Sequence, residues 1–185
     1  MIMTLNKSIL RLALATAFLL LIPLVAMQFT HEMTWSLFDF ALAGTLLFGT
    51  GLTYELIARQ ASSRVYRLAI GLALAAALFL VWTNLAVGLI GSENNPANLL
   101  YGAVLAVGLM GALAVRFQAR GMTNVLFAMA LTQVLVPVVS LMVWKPQVTA
   151  LGLLESVGLT TLFVGLWVGA ALLFRRASTI DTAQR

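Results

Sequence analysis

The sequence predicts an all-α fold: a polytopic transmembrane helix bundle of six transmembrane helices, with both termini on the cytoplasmic side (N-in/C-in). Three observations carry this expectation. Apolar residues fill 62% of the 185 positions and charged ones 9%, against about 45–50% and about 25% in a soluble domain. So few charges cannot cover a water-soluble surface, and the apolar residues must face lipid. The apolar residues also fall into runs at roughly 10–29, 37–57, 66–90, 97–115, 122–143 and 150–174, each near the ~20 helical residues that cross a hydrocarbon core. None shows the period-2 alternation of a barrel, and a helix satisfies its own backbone in lipid. Finally, an even number of spans puts Lys7, Arg11, Arg59, Arg64, Arg67, Arg116, Arg120, Arg175, Arg176 and Arg185 on one side and Lys145 alone on the other. The positive-inside rule makes the first side cytoplasmic. Residues 1–176 are expected to form a single transmembrane domain and residues 177–185 a short polar cytoplasmic tail that frays.

Each run has readable ends. The first follows Lys7 and Arg11 and reads Leu24-Val25-Ala26-Met27-Gln28 after Pro23. It offers no small-x-small cleavage site and exceeds the about 7–15 residues of a signal-peptide core, so it is expected to be retained. Ser36-Leu37-Phe38-Asp39 fits a capping box opening the second run, and Glu55 with Arg59 fits an i,i+4 pair near its end. The third run is long enough to cross with tilt. Asn95 before Pro96 places a cap residue ahead of a proline at the first helical position of the fourth. That run is the shortest, carries Gly102, Gly108 and Gly111, and is the candidate for a broken helix. Gly121 precedes the fifth run, in which Pro137 is a candidate kink. Lys145-Pro146 precedes the sixth, whose Gly158, Gly165 and Gly169 form a small face for close packing, as Gly44, Gly49 and Gly51 do in the second. Trp35 and Trp144 fall at outer ends, Tyr54 and Tyr66 near inner ones.

The composition excludes several chemistries. Without Cys there are no disulfides, thiolate metal sites or cysteine nucleophiles. A single His excludes a bis-histidine haem site in one copy. The net charge of +5 would suggest nucleic acid in a soluble chain; here it punctuates the runs as a topology signal, so no nucleic-acid partner is expected. The lipid bilayer is the expected partner, with a homo-oligomer or a larger membrane complex suited to the glycine-rich helices.

Polar groups at membrane depth are the pointers to function, because burying them is costly unless they are paired. At 1.5 Å per residue, Asn84 and Glu155 lie about 9 Å from the outer ends of their runs. Gln133 is near the middle of the fifth, and Asp39 is in the first outer turn of the second. Asn84, Gln133, Glu155 and Asp39 are therefore candidate substrate- or proton-binding residues, flooring a polar cavity open to the extracytoplasmic side. Structural roles compete: Asp39 as a cap, Asn98 as a loop anchor, Asn84 bonded to Glu155 as helix–helix glue. The outer loops add His31, Glu32, Glu93, Asn94, Asn95 and Asn98. His31, Glu32 and Glu93 could ligate a divalent cation, although their spacing matches no metal-site signature. Metal and cofactor are left unassigned. The triplet Asn95-Pro96-Ala97 also occurs in aquaporins, but those use two such triplets on re-entrant half-helices, and this chain has one.

The stretch from Trp82 to Leu99, reading Trp82-Thr83-Asn84-Leu85-Ala86-Val87-Gly88-Leu89-Ile90-Gly91-Ser92-Glu93-Asn94-Asn95-Pro96-Ala97-Asn98-Leu99, resembles a family of small uncharacterised bacterial polytopic inner-membrane proteins. Phe48 to Leu56, Asp39 and Arg120-Gly121-Met122 carry the same resemblance. It implies a multi-pass protein of the bacterial cell inner membrane and makes the loop joining the third and fourth runs a family feature, but it brings no activity with it. The functional expectations are a small transporter or permease, an accessory or assembly subunit of a membrane complex, or a membrane-embedded enzyme acting on a lipid or quinone. An enzyme is the least expected, since no paired carboxylates, His-Glu-x-x-His motif or Ser-His-Asp set is present.

Overall fold

The computed structural model describes residues 2–30, 34–61, 63–92, 94–144 and 150–183. These form helices α1 (Ile2–Phe29), α2 (Leu37–Ala58), α3 (Arg64–Ala86), α4 (Tyr101–Ala114), α5 (Ala119–Trp144) and α6 (Ala150–Ala183), with a 3-10 turn at Pro96–Leu100 before α4 and no strand among the described residues. Among the described residues, six segments are long and apolar enough to cross a membrane. The protein is thus an all-α, multi-pass membrane protein. Its internal contacts divide it into two compact units, Met1–Arg59 and Gln60–Arg185.

The first unit is the α1–α2 pair. Glycines set how closely these helices approach: a Cβ on Gly51 would lie 2.9 Å from Leu12 Cδ2, and one on Gly44 would lie 3.4 Å from Leu20 Cδ1. One end is tied by a polar cluster in which Ser8 Oγ donates to Glu55 Oε1 at 2.8 Å and Arg59 Nη2 donates to Ser8 Oγ at 3.0 Å and Glu55 Oε1 at 2.9 Å. The Glu55–Arg59 pair is the i,i+4 pair read from the sequence. At the start of α2 the capping box forms: Ser36 N donates to Asp39 Oδ2 at 2.7 Å, and Asp39 N donates to Ser36 Oγ at 3.3 Å.

The second unit is a four-helix arrangement of α3 to α6. The buried positions Tyr66, Ala69, Ile70, Ala73, Ala76 and Leu80 recur at helical spacing on α3. They face α6, whose Phe163, Trp167, Ala170, Ala171, Phe174 and Ala177 are fully buried. Edge-on Tyr66–Phe174 and tilted Phe79–Phe163 ring pairs, at 5.1 and 5.4 Å, show the two helices running antiparallel. Helices α4 and α5 approach through glycine: a Cβ on Gly108 would lie 2.7 Å from Met129 Sδ, and one on Gly111 would lie 2.7 Å from Val125 Cγ1. Of the α6 glycines expected to form a packing face, Gly169 meets Leu72, whereas Gly158 and Gly165 have no side chain of the described residues within 4 Å of an added Cβ.

Four boundaries differ clearly from the sequence expectation, the first being the start of α1 at Ile2, ahead of the expected residue 10. The third span stops at Ala86, short of residue 90, because the chain turns through Gly88 at φ +78°. The N–H groups of Leu89 and Ile90 then donate to Asn98 Oδ1 at 3.0 and 2.9 Å instead of continuing the helix. The fourth span does not open as an α-helix: Asn95 caps the 3-10 turn through its Oδ1 and Ala97 N. The tail continues α6 to Ala183, because Ala177 is buried and the Ser178, Thr179 and Thr182 hydroxyls donate to the Arg175, Arg176 and Ser178 carbonyls.

The α4–α5 turn is a Schellman closure: Phe117 N donates to Ala112 O and Arg116 N to Leu113 O. It places Arg116 and Phe117 at φ +50° and +57°, a conformation glycine would adopt without strain. Tyr66 Oη, donating to the Phe117 carbonyl at 2.6 Å, pins this turn to α3.

Candidate functional site

The candidate residues separate into distinct environments. Asn98 is 5% exposed and organises the α3–α4 connection. Besides accepting from Leu89 and Ile90, it donates through Nδ2 to Ser92 O at 2.7 Å, and its own carbonyl accepts from Asn84 Nδ2 at 3.1 Å. The structure therefore brings Asn84, Asn95 and Asn98 together as the hydrogen-bonding frame of a loop that a polar chain needs before re-entering lipid. Asp39 is spent on its capping box. His31, Glu32 and Glu93 lie outside the described residues, and among the described ones no group of His, Asp and Glu is arranged to hold a metal.

Glu155 is exposed, on a face of α6 that the four-helix core does not use. Its depth follows from the other end of the helix. Exposed Arg175 and Arg176 mark the basic boundary, and Glu155 is about 30 Å from Arg175 along α6, the full thickness of a hydrocarbon core. A hydrocarbon core of that thickness measured from those arginines would end at Glu155, where a carboxylate meets headgroups and water. No hydrogen bond joins it to Asn84 or Gln133 among the described residues.

Gln133 is different. It is 0% exposed, and neither Nε2 nor Oε1 has a hydrogen-bond partner among the described residues. It lies about 20 Å from Arg120 along α5, near the middle of the span. Pro137, inside α5, has no N–H to donate to the Gln133 carbonyl four residues back. One residue therefore presents an unpartnered amide and a carbonyl without its ordinary helical donor. Ser140, two turns further along the same face and 1% exposed, also has no partner for Oγ, and neither has Nε1 of fully buried Trp167 on α6. The contrast with the threonines is informative: Thr45, Thr53, Thr123, Thr132 and Thr161 each donate to the carbonyl four residues back. Trp167 and Ser140 were not read from the sequence as site residues. For Ser140 the signal was present, since it follows Gln133 by seven residues, the spacing that returns a helix to the same face.

Orphan polar groups of this kind are uncommon in protein interiors, and each calls for an explanation such as strain, a catalytic role or a bound polar molecule. None of the buried side chains among the described residues is charged, so the core offers uncharged hydrogen bonding and no carboxylate or imidazole for proton relay. The chain matches no family model, no curated protein and no solved structure. The class that fold and composition define is that of a multi-pass membrane protein with an uncharged polar site in its four-helix unit.

Proposed function

We propose that this chain is a small transport protein of the bacterial inner membrane, with both termini cytoplasmic, in which the α3–α6 unit handles a polar solute. The observation that supports this reading is Gln133: a buried amide without a partner among the described residues, mid-span, in a helix where Pro137 withholds the donor of its carbonyl. Substrate sites of secondary transporters lie at the bilayer midplane on interrupted helices, where freed backbone groups join side chains in coordinating the substrate. The test is flux into proteoliposomes across a panel of small solutes, with Gln133→Leu as the comparison. Flux above that of protein-free vesicles, lost in Gln133→Leu, supports transport through this site. Vesicles indistinguishable from protein-free ones for the whole panel refute it.

A second reading, a subunit of a membrane assembly, draws on the open face of α6, where Gly158 and Gly165 have no neighbour within 4 Å of an added Cβ. A backbone that bare can receive another helix closely. The chain has no cysteine, so Gly158→Cys gives an unambiguous cross-link if a second copy docks there, and a monomer after oxidation counts against self-association through this face.

A further inference from the structure

We infer that the core of the α3–α6 unit holds a file of small, uncharged hydrogen-bonding molecules of about water's size, running from Ser140 past Tyr101 and Thr160 to Gln133 and Trp167. This rests on the transport reading and names the solute class of that site. The register of the helices supports it. Gly108 packs on Met129 and Gly111 on Val125, so two turns further along each helix Tyr101 on α4 comes level with Val136 on α5. Tyr101 is 1% exposed and its hydroxyl meets the Thr160 side chain of α6, which places all three helices at one height. Ser140 is then one turn nearer the α3–α4 loop. Gln133 is one turn nearer the basic end, and Trp167, two turns beyond Thr160 on α6, is one turn further still. Polar groups thus recur at intervals of about 5–6 Å, one helical turn, through an otherwise apolar core.

The order of donors and acceptors narrows what can bind. Side chains lean toward the N-terminus of their own helix. On antiparallel α5 and α6 this tilts Gln133 and Trp167 toward one another, yet neither has a hydrogen-bond partner among the described residues. A molecule between them must accept from the indole Nε1 and from the amide Nε2 and must donate to Oε1. Ser140 Oγ can both give and take, and the Gln133 carbonyl, deprived of its donor by Pro137, only accepts. Water satisfies every one of these demands. A bare cation finds too few acceptors, an anion finds no positive charge, and a proton finds no carboxylate, imidazole or amine among the buried described side chains.

The experiment is water-edited solid-state NMR on the full chain in lipid, with labelled glutamine, tryptophan, phenylalanine and leucine. It reads how fast magnetisation passes from water to each site, first in the unaltered chain. The expected result is rapid build-up at the Gln133 amide and the Trp167 indole, several-fold faster than at Phe163 or Leu80 in the same core, and loss of the Trp167 signal's fast build-up in Gln133→Leu. Build-up at Gln133 and Trp167 as slow as at Phe163 overturns the inference. The two proposals fail separately: flux of some solute with dry Gln133 and Trp167 leaves transport standing and removes the file, whereas hydrated sites without flux keep the file and remove transport. In the flux assay, osmotic water permeation above protein-free vesicles without proton leak supports the solute class. Selective passage of protons or ions overturns it.

Discussion

The closeness of α4 and α5 can be tested with a pair of alanine substitutions that look alike in sequence and differ in structure. At Gly111 an added Cβ would lie 2.7 and 2.8 Å from the two methyls of Val125 and 3.3 Å from its Cβ. Carbon atoms prefer about 3.5–4.0 Å, so both methyls overlap by about 1 Å. Val125 cannot turn away, because a β-branched side chain in a helix has one strongly preferred rotamer and its own Cβ is part of the contact. The helices must separate, at the about 1–3 kcal/mol typical of overpacking. Alanine returns about 1 kcal/mol of helix propensity, leaving Gly111→Ala up to about 2 kcal/mol less stable on these terms. At Gly108 the obstruction is Met129 Sδ and Cε at 2.7 Å. That is the free end of a flexible chain that can swing aside, so Gly108→Ala is expected to be neutral or slightly stabilising. Thermal melting in detergent followed by tryptophan fluorescence should rank Gly111→Ala below wild type and Gly108→Ala at or above it. Val125→Ala should recover stability in the Gly111→Ala background. Equal losses for both glycines, or no recovery by Val125→Ala, would show that α4 and α5 do not meet in this register.

Further consequences concern the turns. Asn98→Ala leaves the N–H groups of Leu89 and Ile90 without an acceptor in a buried site and should cost about 3 kcal/mol; protease cleavage within residues 87–95 should accelerate, and an unchanged rate would contradict the assigned role. Arg116→Gly relieves a left-handed residue and should raise the melting temperature by the equivalent of about 1 kcal/mol, whereas Tyr66→Phe, removing the bond to Phe117 O, should lower it by a similar amount; the signs are the check. Ser36→Ala removes the half of the α2 capping box that Ser36 Oγ accepts from Asp39 N, leaving Ser36 N to donate to Asp39 Oδ2, and should destabilise by about 1 kcal/mol, seen as faster hydrogen exchange confined to the first turn of α2.

Fold and site were legible in the sequence to different degrees, for physical reasons. The helices were readable because lipid demands long apolar runs, and their ends because Ser36–Asp39 and Asn95–Pro96 are local signals whose partners lie within a few residues. What escaped was non-local. Asn98 ends the third span from eight or nine residues away, by offering its Oδ1 to Leu89 and Ile90, and hydropathy alone counted those two residues as helix. Gly111 and Gly165 look alike in the chain, but one meets Val125 and the other has no neighbour within 4 Å of an added Cβ, because partner identity is decided by the fold. Gln133 was readable as a polar residue at depth. That Ser140 and Trp167 are also buried and unpartnered depended on which faces α5 and α6 turn to one another.

The same logic redistributes weight among the polar residues. A carboxylate inside a span is the usual first suspect for function, and Glu155 looked like one when depth was counted from the start of its run. Counted from the arginines, it is a full membrane thickness away. α6 is 34 residues long, about 50 Å at 1.5 Å per residue, so most of its excess over the hydrocarbon core must project at one end or the other. Taking Arg175 and Arg176 as one edge of the hydrocarbon core assigns residues 177–183 to one side of it and Ala150 to Leu154 to the other. Glu155→Gln should therefore leave flux and stability unchanged while Gln133→Leu abolishes flux. If instead Glu155→Gln removed activity and Gln133→Leu did not, the boundary set by the arginines would be wrong, and the functional centre would belong on the outer face of α6.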